Sequence, residues 1–330
     1  MTRSVVSLLI VILLFCVSIV FLREEAGPLV RTRLLMGTVV EIRILDEDAA
    51  DFDEAVSAAF SAMAGVEAMM SPHLSDSEIS RLSAAEKRLS VSAETREVIQ
   101  RSLDISAASQ GAFDISIGQL IHLWGFAEGE PQRPERKLIE ETLAETGPDA
   151  LAVSGTEIIK RSSDIAVDLG GVAKGFAIDR AIGVLAAAGV RHASVNAGGD
   201  MRLLGDRGGG VKWRIGIQHP RRPQQILARL DLADVAVVTS GDYERYFEEE
   251  GVRYHHILDP RSGYPADACQ AVTVVAVDAL TADALATAVF VLGTERGLAL
   301  LNSSGVEGMI VDQNGQVEMT SGLKEIISWP

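Results

Sequence analysis

Near the middle of the chain lies Ile165-Ala-Val-Asp-Leu-Gly-Gly-Val-Ala-Lys-Gly-Phe-Ala-Ile-Asp-Arg180. It begins as a short β-type run and turns on Gly170 and Gly171. From about Val172 it carries apolar residues at helical spacing, Phe176, Ala177, Ala181, Val184, Leu185 and Ala188, with Gly189 as the C′ stop. A strand that empties through glycines into a helix start presents free N–H groups and the positive end of the helix dipole. Lys174 adds a point charge, and Asp168 on the strand side can accept hydrogen bonds or hold a cation. The spacing matches neither Gly-x-Gly-x-x-Gly nor a Gly-Lys-Ser/Thr phosphate loop. Two readings stand: an anion cradle, or a glycine turn that packs a helix on a sheet.

Upstream, residues 31–45 read as a hairpin or bent strand through Met36-Gly37-Thr38. An acidic helix start at 46–53 leads into a helix over 52–70, with Met63, Met69 and Met70 as core filling. Ser71-Pro72-His73 breaks it, a capped turn begins at Asp76, and a second helix covers 98–108. Strands follow near 151–153 and 157–160. Downstream, His192-Ala-Ser-Val-Asn-Ala-Gly-Gly-Asp200 is a strand entering another glycine turn. Further strands fall at 213–217, 226–232, 236–239 and 272–277. Helices cover 281–292 and 295–302, and strands 308–311 and 316–319 precede a short polar tail. Strands and helices do not alternate strictly, so the fold class is α+β, not doubly wound.

The chain has 330 residues, 47% of them hydrophobic, and a net charge of −16. That charge excludes a non-specific nucleic-acid binder. Its two cysteines, Cys16 and Cys269, supply no disulfide framework. Residues 4–22 form an apolar run flanked by Arg3 and Arg23, long enough to cross a bilayer. Bulky Phe15 before Cys16 is a poor lipoprotein signal. The run therefore reads as one uncleaved transmembrane helix with the body outside, which divides the chain into an anchor and linker (1–30) and one domain (31–330).

Asp283 and Thr287 stand one turn apart on the 281–292 helix. A carboxylate with a hydroxyl suits a hard cation such as Mg²⁺ better than zinc; the alternative is a solvated Asp near a helix start. His255 and His256 precede Asp259, and neighbouring strand residues face opposite ways, so one of the two histidines can enter a pocket. Gly111-Ala-Phe-Asp114 places a carboxylate beside an aromatic ring, which by itself reads as a helix cap.

Together, Asp168-Leu-Gly-Gly-Val-Ala-Lys-Gly, Asn196-Ala-Gly-Gly-Asp, Thr239-Ser-Gly-Asp-Tyr-Glu-Arg-Tyr-Phe and Tyr254-His-His-Ile-Leu-Asp-Pro with Ser262-Gly-Tyr-Pro resemble the ApbE family of flavin transferases. Met36-Gly-Thr, Met70-Ser, Gly111-Ala-Phe-Asp and Ala282-Asp-Ala-Leu-Ala-Thr287 follow the family's order. The resemblance spans about residues 31–325. It implies a T-fold-like mixed sheet with packed helices, and an FAD:protein FMN transferase. In that reaction FAD is split with Mg²⁺ and FMN passes through a phosphoester to a threonine of a partner flavoprotein, releasing AMP. By position it implies FAD contacts at Met36, His73, Ala112, Phe113, Asp114, Asp168, Lys174 and Leu258. It implies metal ligands at Asp283, Thr287 and, through its carbonyl, Gly171. His256 becomes the acceptor of the hydroxyl proton, as an imidazole of near-neutral pKa. His73 stands where the family often has Tyr. The implied partner is a flavoprotein subunit of a membrane electron-transfer or ion-pumping complex, met on the periplasmic side of a bacterial inner membrane. Hydrolysis of FAD by water, or tethered flavin binding without catalysis, would use the same residues.

Overall fold

Leu29–Leu35 and Thr38–Ile44 pair as an antiparallel hairpin around a two-residue turn, Met36-Gly37, with both residues at positive φ (52° and 70°). That is the turn whose twist matches paired strands. The strand starts two residues before the boundary expected at 31. In the computed structural model, residues 27–127 and 129–330 are described, so the expected span at 4–22, with Cys16, lies outside the described residues. Among the described residues, no helix is long and apolar enough to cross a membrane.

The hairpin forms one edge of an eight-stranded sheet. Its spatial order is Leu29–Leu35, Thr38–Ile44, Ala193–Ala197, Asp200–Leu204, Ala236–Gly241, Cys269–Ala276, Glu307–Asp312, Val317–Met319. Every ladder in it is antiparallel, which corrects the expected mixed sheet. The physical reason is visible at the connections. Tight turns at Met36-Gly37 and Gly198-Gly199 can join only antiparallel neighbours.

The central strands are buried on both faces, and alternation sorts their side chains. Ala236, Val238, Val272 and Val274 face a layer of three helices, Asp53–Met70, Ala173–Ala187 and Ala279–Leu292. Val237 and Val275 face the other way, beneath the hairpin Trp213–His219/Arg222–Leu232. The expected polar tail is instead a helix, Ser321–Ile326, and a strand, Ile327–Ser328, paired with Arg222–Leu232. Fully buried Leu323 anchors it, and six residues are too few to show a helical period. Met63 and Met70 are buried as core filling.

A third apolar cluster adjoins the helical layer. Trp124, fully buried, stacks at 5.6 Å on Tyr254 and donates through Nε1 to the Gly263 carbonyl at 2.8 Å. Its walls include the helices Gly118–Leu123 and Arg136–Leu143 and the hairpin Tyr246–Glu249/Val252–His255. Period-two alternation turns Phe247 into this cluster and leaves Tyr246 44% exposed beneath Arg253.

Candidate active site

All the expected site residues line one cleft of about 610 Å³. It opens between the N-terminus of helix Ala173–Ala187, helix Ala279–Leu292, the first hairpin and the aromatic cluster.

Asp283 is buried, and its Oδ2 accepts the Gly175 N–H at 2.9 Å. It is therefore not the solvated carboxylate of the alternative reading. Burial raises its carboxyl to about 7; the Asp200 charge pushes the same way, against Lys174 and the Gly175 N–H. One turn on, Thr287 Oγ1 lies 3.4 Å from Ser240 Oγ. A Cβ on Gly171 would lie 3.2 Å from the Phe113 ring and 3.3 Å from Thr287 Oγ1, so glycine keeps that corner open beside the hydroxyl. Among the described residues, no three His, Cys, Asp or Glu side chains converge as a metal-binding group. The donors that do converge are one carboxylate and hydroxyls beside a glycine backbone, an oxygen set that fits a hard cation.

The glycine turn is a different kind of anion site from the one its sequence implies. Ile165–Val167 is not a strand; Ala166 makes an isolated parallel bridge to Ile117. Several N–H groups at the turn and helix start are used internally: Gly170 donates to Asp168 Oδ1 at 2.7 Å, Val172 and Ala173 to the Leu169 carbonyl, and Gly175 to Asp283. The anion at this helix end is the protein's own carboxylate. Lys174 is likewise not a spare point charge, because it forms an ion pair with buried Asp200. Burial alone would lower the Lys174 pKa, but the Asp200 and Asp283 carboxylates outweigh it and raise it. Asp200 is oriented by the Thr239 N–H, 3.0 Å from its Oδ1.

Across the cleft stands His256. Both its backbone N–H (3.1 Å) and its ring Nδ1 (3.2 Å) meet the Arg245 carbonyl. A carbonyl only accepts, so Nδ1 carries the proton and Nε2 keeps its lone pair. Burial, and then the Arg245 charge, lower the pKa to about 3, not the near-neutral value expected. His255 faces the opposite way: Nε2 meets the Ala266 carbonyl at 2.7 Å and Nδ1 accepts the Ile257 N–H. Asp259 is turned away to Arg261, at 2.8 Å.

The remaining wall is made of turns. The Met36 N–H donates to Glu67 Oε1 at 2.9 Å. Asp114 accepts from Ser116 through Oδ1 and from the Gly147 N–H through Oδ2, bracing two loops; it is not the helix cap expected, since the next helix has Ile117 at its N-cap with no side-chain cap bond. Asp168 is raised above the usual carboxylate range by burial, while the Gly170 N–H, Arg245 and His73 pull it back. Phe113, Ile117, Ile121, Phe126 and Leu258 give an apolar side.

Similarity to known proteins agrees with this geometry. The model of the ApbE family matches residues 36–310. The chain belongs to the ApbE family. The FAD:protein FMN transferase of Vibrio cholerae is 35% identical over 267 residues, 78% of each chain. That of Haemophilus influenzae is 31% identical over 87% of each. Among solved structures, the ApbE protein of Thermotoga maritima superposes with a TM-score of 0.85 at 33% identity, covering 91% of this chain and 99% of its own. The flavin transferase ApbE of Vibrio cholerae gives 0.81 at 30% identity, over 91% and 99%.

Four charged residues of this ApbE cleft were not singled out from sequence: Glu67, Asp200, Glu244 and Arg245. Asp200 ends a quoted glycine motif, and its opposite charge to Lys174 was the available signal. Glu244 and Arg245 lie inside the quoted Thr239–Phe247 motif, which does not show that the Arg245 carbonyl and charge act on a residue eleven positions away. With them the cleft holds, among the described residues, six carboxylates, Glu67, Asp114, Asp168, Asp200, Glu244 and Asp283, against the fixed cations Lys174 and Arg245. A nucleotide pyrophosphate entering such a site needs added positive charge.

Proposed function

We propose that this chain transfers FMN from FAD to a threonine hydroxyl of a partner flavoprotein, releasing AMP. The observation that carries the reading is the pairing of an oxygen-donor corner with a neutral histidine acceptor across one cleft. Asp283, Thr287 and the Gly171 carbonyl would hold Mg²⁺, which when bound supplies charge neutralisation to the pyrophosphate. Lys174, kept charged by Asp200, adds a fixed cation on the same side. The apolar side suits a flat isoalloxazine ring, with Met36, His73, Phe113 and Leu258 around it. His256, its tautomer set by the Arg245 carbonyl, offers Nε2 to the incoming hydroxyl proton. Its depressed pKa keeps Nε2 unprotonated at neutral pH, and a bound polyanion would raise its basicity.

The partner fits a flavoprotein subunit of a membrane electron-transfer or ion-pumping complex. The apolar run at 4–22 would tether the body to the periplasmic side of a bacterial inner membrane, in contact with lipid. The test is incubation of the full chain with FAD, Mg²⁺ and an acceptor flavoprotein, followed by in-gel flavin fluorescence. Covalent fluorescence that needs the acceptor threonine supports transfer. Free FMN and AMP accumulating without any labelled acceptor would overturn it in favour of hydrolysis. Washing membranes with carbonate tests the tether: the full chain stays in the pellet, and release into the wash refutes it.

A further inference from the structure

The two helices that carry the cation corner are locked by reciprocal caps. Asp283, from helix Ala279–Leu292, accepts the Gly175 N–H in the first turn of helix Ala173–Ala187. Asp179, one turn beyond Gly175, accepts the N–H groups of Ala279 and Leu280, both at 2.9 Å, in the first turn of the other helix. Gly175 with Asp179, and Ala279 with Asp283, are i, i+4 pairs. Each helix thus offers free first-turn N–H groups and a carboxylate on the same face. The approach is close enough that a Cβ on Gly175 would lie 2.2 Å from the Ala279 carbonyl oxygen.

Asp179 is itself held. Arg202 Nη1 donates to Asp179 Oδ1 at 2.8 Å, while the buried Arg202 Nε finds no hydrogen-bond partner. Strand Asp200–Leu204 therefore sends two alternate residues to one helix: Asp200 to Lys174 and Arg202 to Asp179. A slip of one helix past the other by a single residue is a shift of about 1.5 Å. Metal–ligand distances tolerate about 0.2 Å.

We propose that Asp179, held by Arg202, is a positioning residue that sets Asp283 and Thr287 against Gly171 and so tunes the site's affinity for a divalent cation. This rests on the function proposed above. Asp179 does not line the cleft; it acts through the register of the two helices.

The test titrates Mn²⁺ into the full chain saturated with FAD and reads free Mn²⁺ by electron paramagnetic resonance. Asp179→Asn keeps the side chain's shape but loses one acceptor and the charge, and raises the Mn²⁺ Kd about tenfold or more, within the range seen for outer-shell partners of metal ligands. FAD affinity, followed by flavin fluorescence, stays nearly constant. Arg202→Gln leaves both caps in place and shifts the Mn²⁺ Kd by a smaller factor. Ser92→Ala, which removes the side-chain cap of helix Ala93–Ala108, lowers the melting temperature without moving the Mn²⁺ Kd. An Asp179→Asn protein that binds Mn²⁺ as wild type does, or a Ser92→Ala protein with an equal Mn²⁺ shift, overturns the proposal. If Asp179→Asn does not fold, unchanged Mn²⁺ affinity in Arg202→Gln overturns it. A wild type that binds no Mn²⁺ at all sinks the functional reading as well, whereas an unshifted variant sinks only this one.

Discussion

The two sides of the cleft are built differently. On one side, Lys174, Asp200, Asp283 and Thr287 sit on helices and strands of the main core, and each charge is held by another element. On the other, Met36, His73, Phe113 and Asp168 sit on turns, fixed by side chains that bond nearby backbone, such as Glu67 to the Met36 N–H and Asp168 to the Gly170 N–H. On the first side a packing change reaches the chemistry, because shifting either helix shifts the site residues it carries. On the second, packing and chemistry are separable, because a turn can change shape without disturbing the sheet.

The largest expected effect breaks the rigid side. Asp283→Asn preserves an acceptor for the Gly175 N–H but loses the charge, and lowers FMN transfer by about 10²–10³-fold, as for other removed electrostatic groups. Its urea midpoint stays near wild type. Loss of folding together with activity would mean that the carboxylate is chiefly structural.

His256→Gln keeps FAD binding and cuts single-turnover transfer by about 10²-fold or more, the usual range for a proton-transfer group. It also alters pH dependence. The unfolded chain takes up a proton as pH falls through 6.5, while the native ring stays neutral to about 3. The neutral ring's stabilisation is therefore present above pH 6.5 and lost progressively as pH falls below it. Urea midpoints at pH 7 and pH 5 should converge less steeply toward unfolding in His256→Gln than in wild type; equal slopes would show the ring to be protonated in the folded state.

Gly175→Ala tests the coupling directly. With a carbonyl 2.2 Å from the new methyl, overpacking costs about 1–3 kcal/mol or more, and denaturant unfolding reads it together with a fall in transfer rate. Unchanged stability would mean that the helices can move apart freely. Met36→Gly, on the turn side, gives the smallest effect. Relief of φ 52° is worth about 1–2 kcal/mol, largely offset by glycine's greater loss of backbone freedom. KM for FAD rises a few-fold while kcat holds. A fall in kcat would show that the turn side also orders the chemistry.

How far the sequence could be read follows the same division. The Met36-Gly37 hairpin, the glycine turn into the 173–187 helix, and Asp283 with Thr287 one turn apart are local patterns, and residue spacing exposes them. The Lys174–Asp200 pair and the Asp179 cap join residues far apart in sequence, so no window contains both partners. The antiparallel sheet was hidden for that reason too, since Thr38–Ile44 finds its second partner at Ala193–Ala197. Short pieces such as Gly118–Leu123 and Ser321–Ile326 are set by tertiary packing of one or two residues, Leu120 and Leu323, and not by a period. The depressed His256 pKa comes from burial and then from the Arg245 charge, neither of which the residues around His256 reveal.

That strand pairing has a consequence for how the protein is made. The first hairpin leaves the ribosome with Val40, Ile42 and Ile44 ready for a core, but its neighbouring strand is synthesised much later, and Thr287 later still. A nascent chain has no cleft to offer a flavin until nearly all of it has been translated. Capture of the flavin therefore belongs to the finished chain.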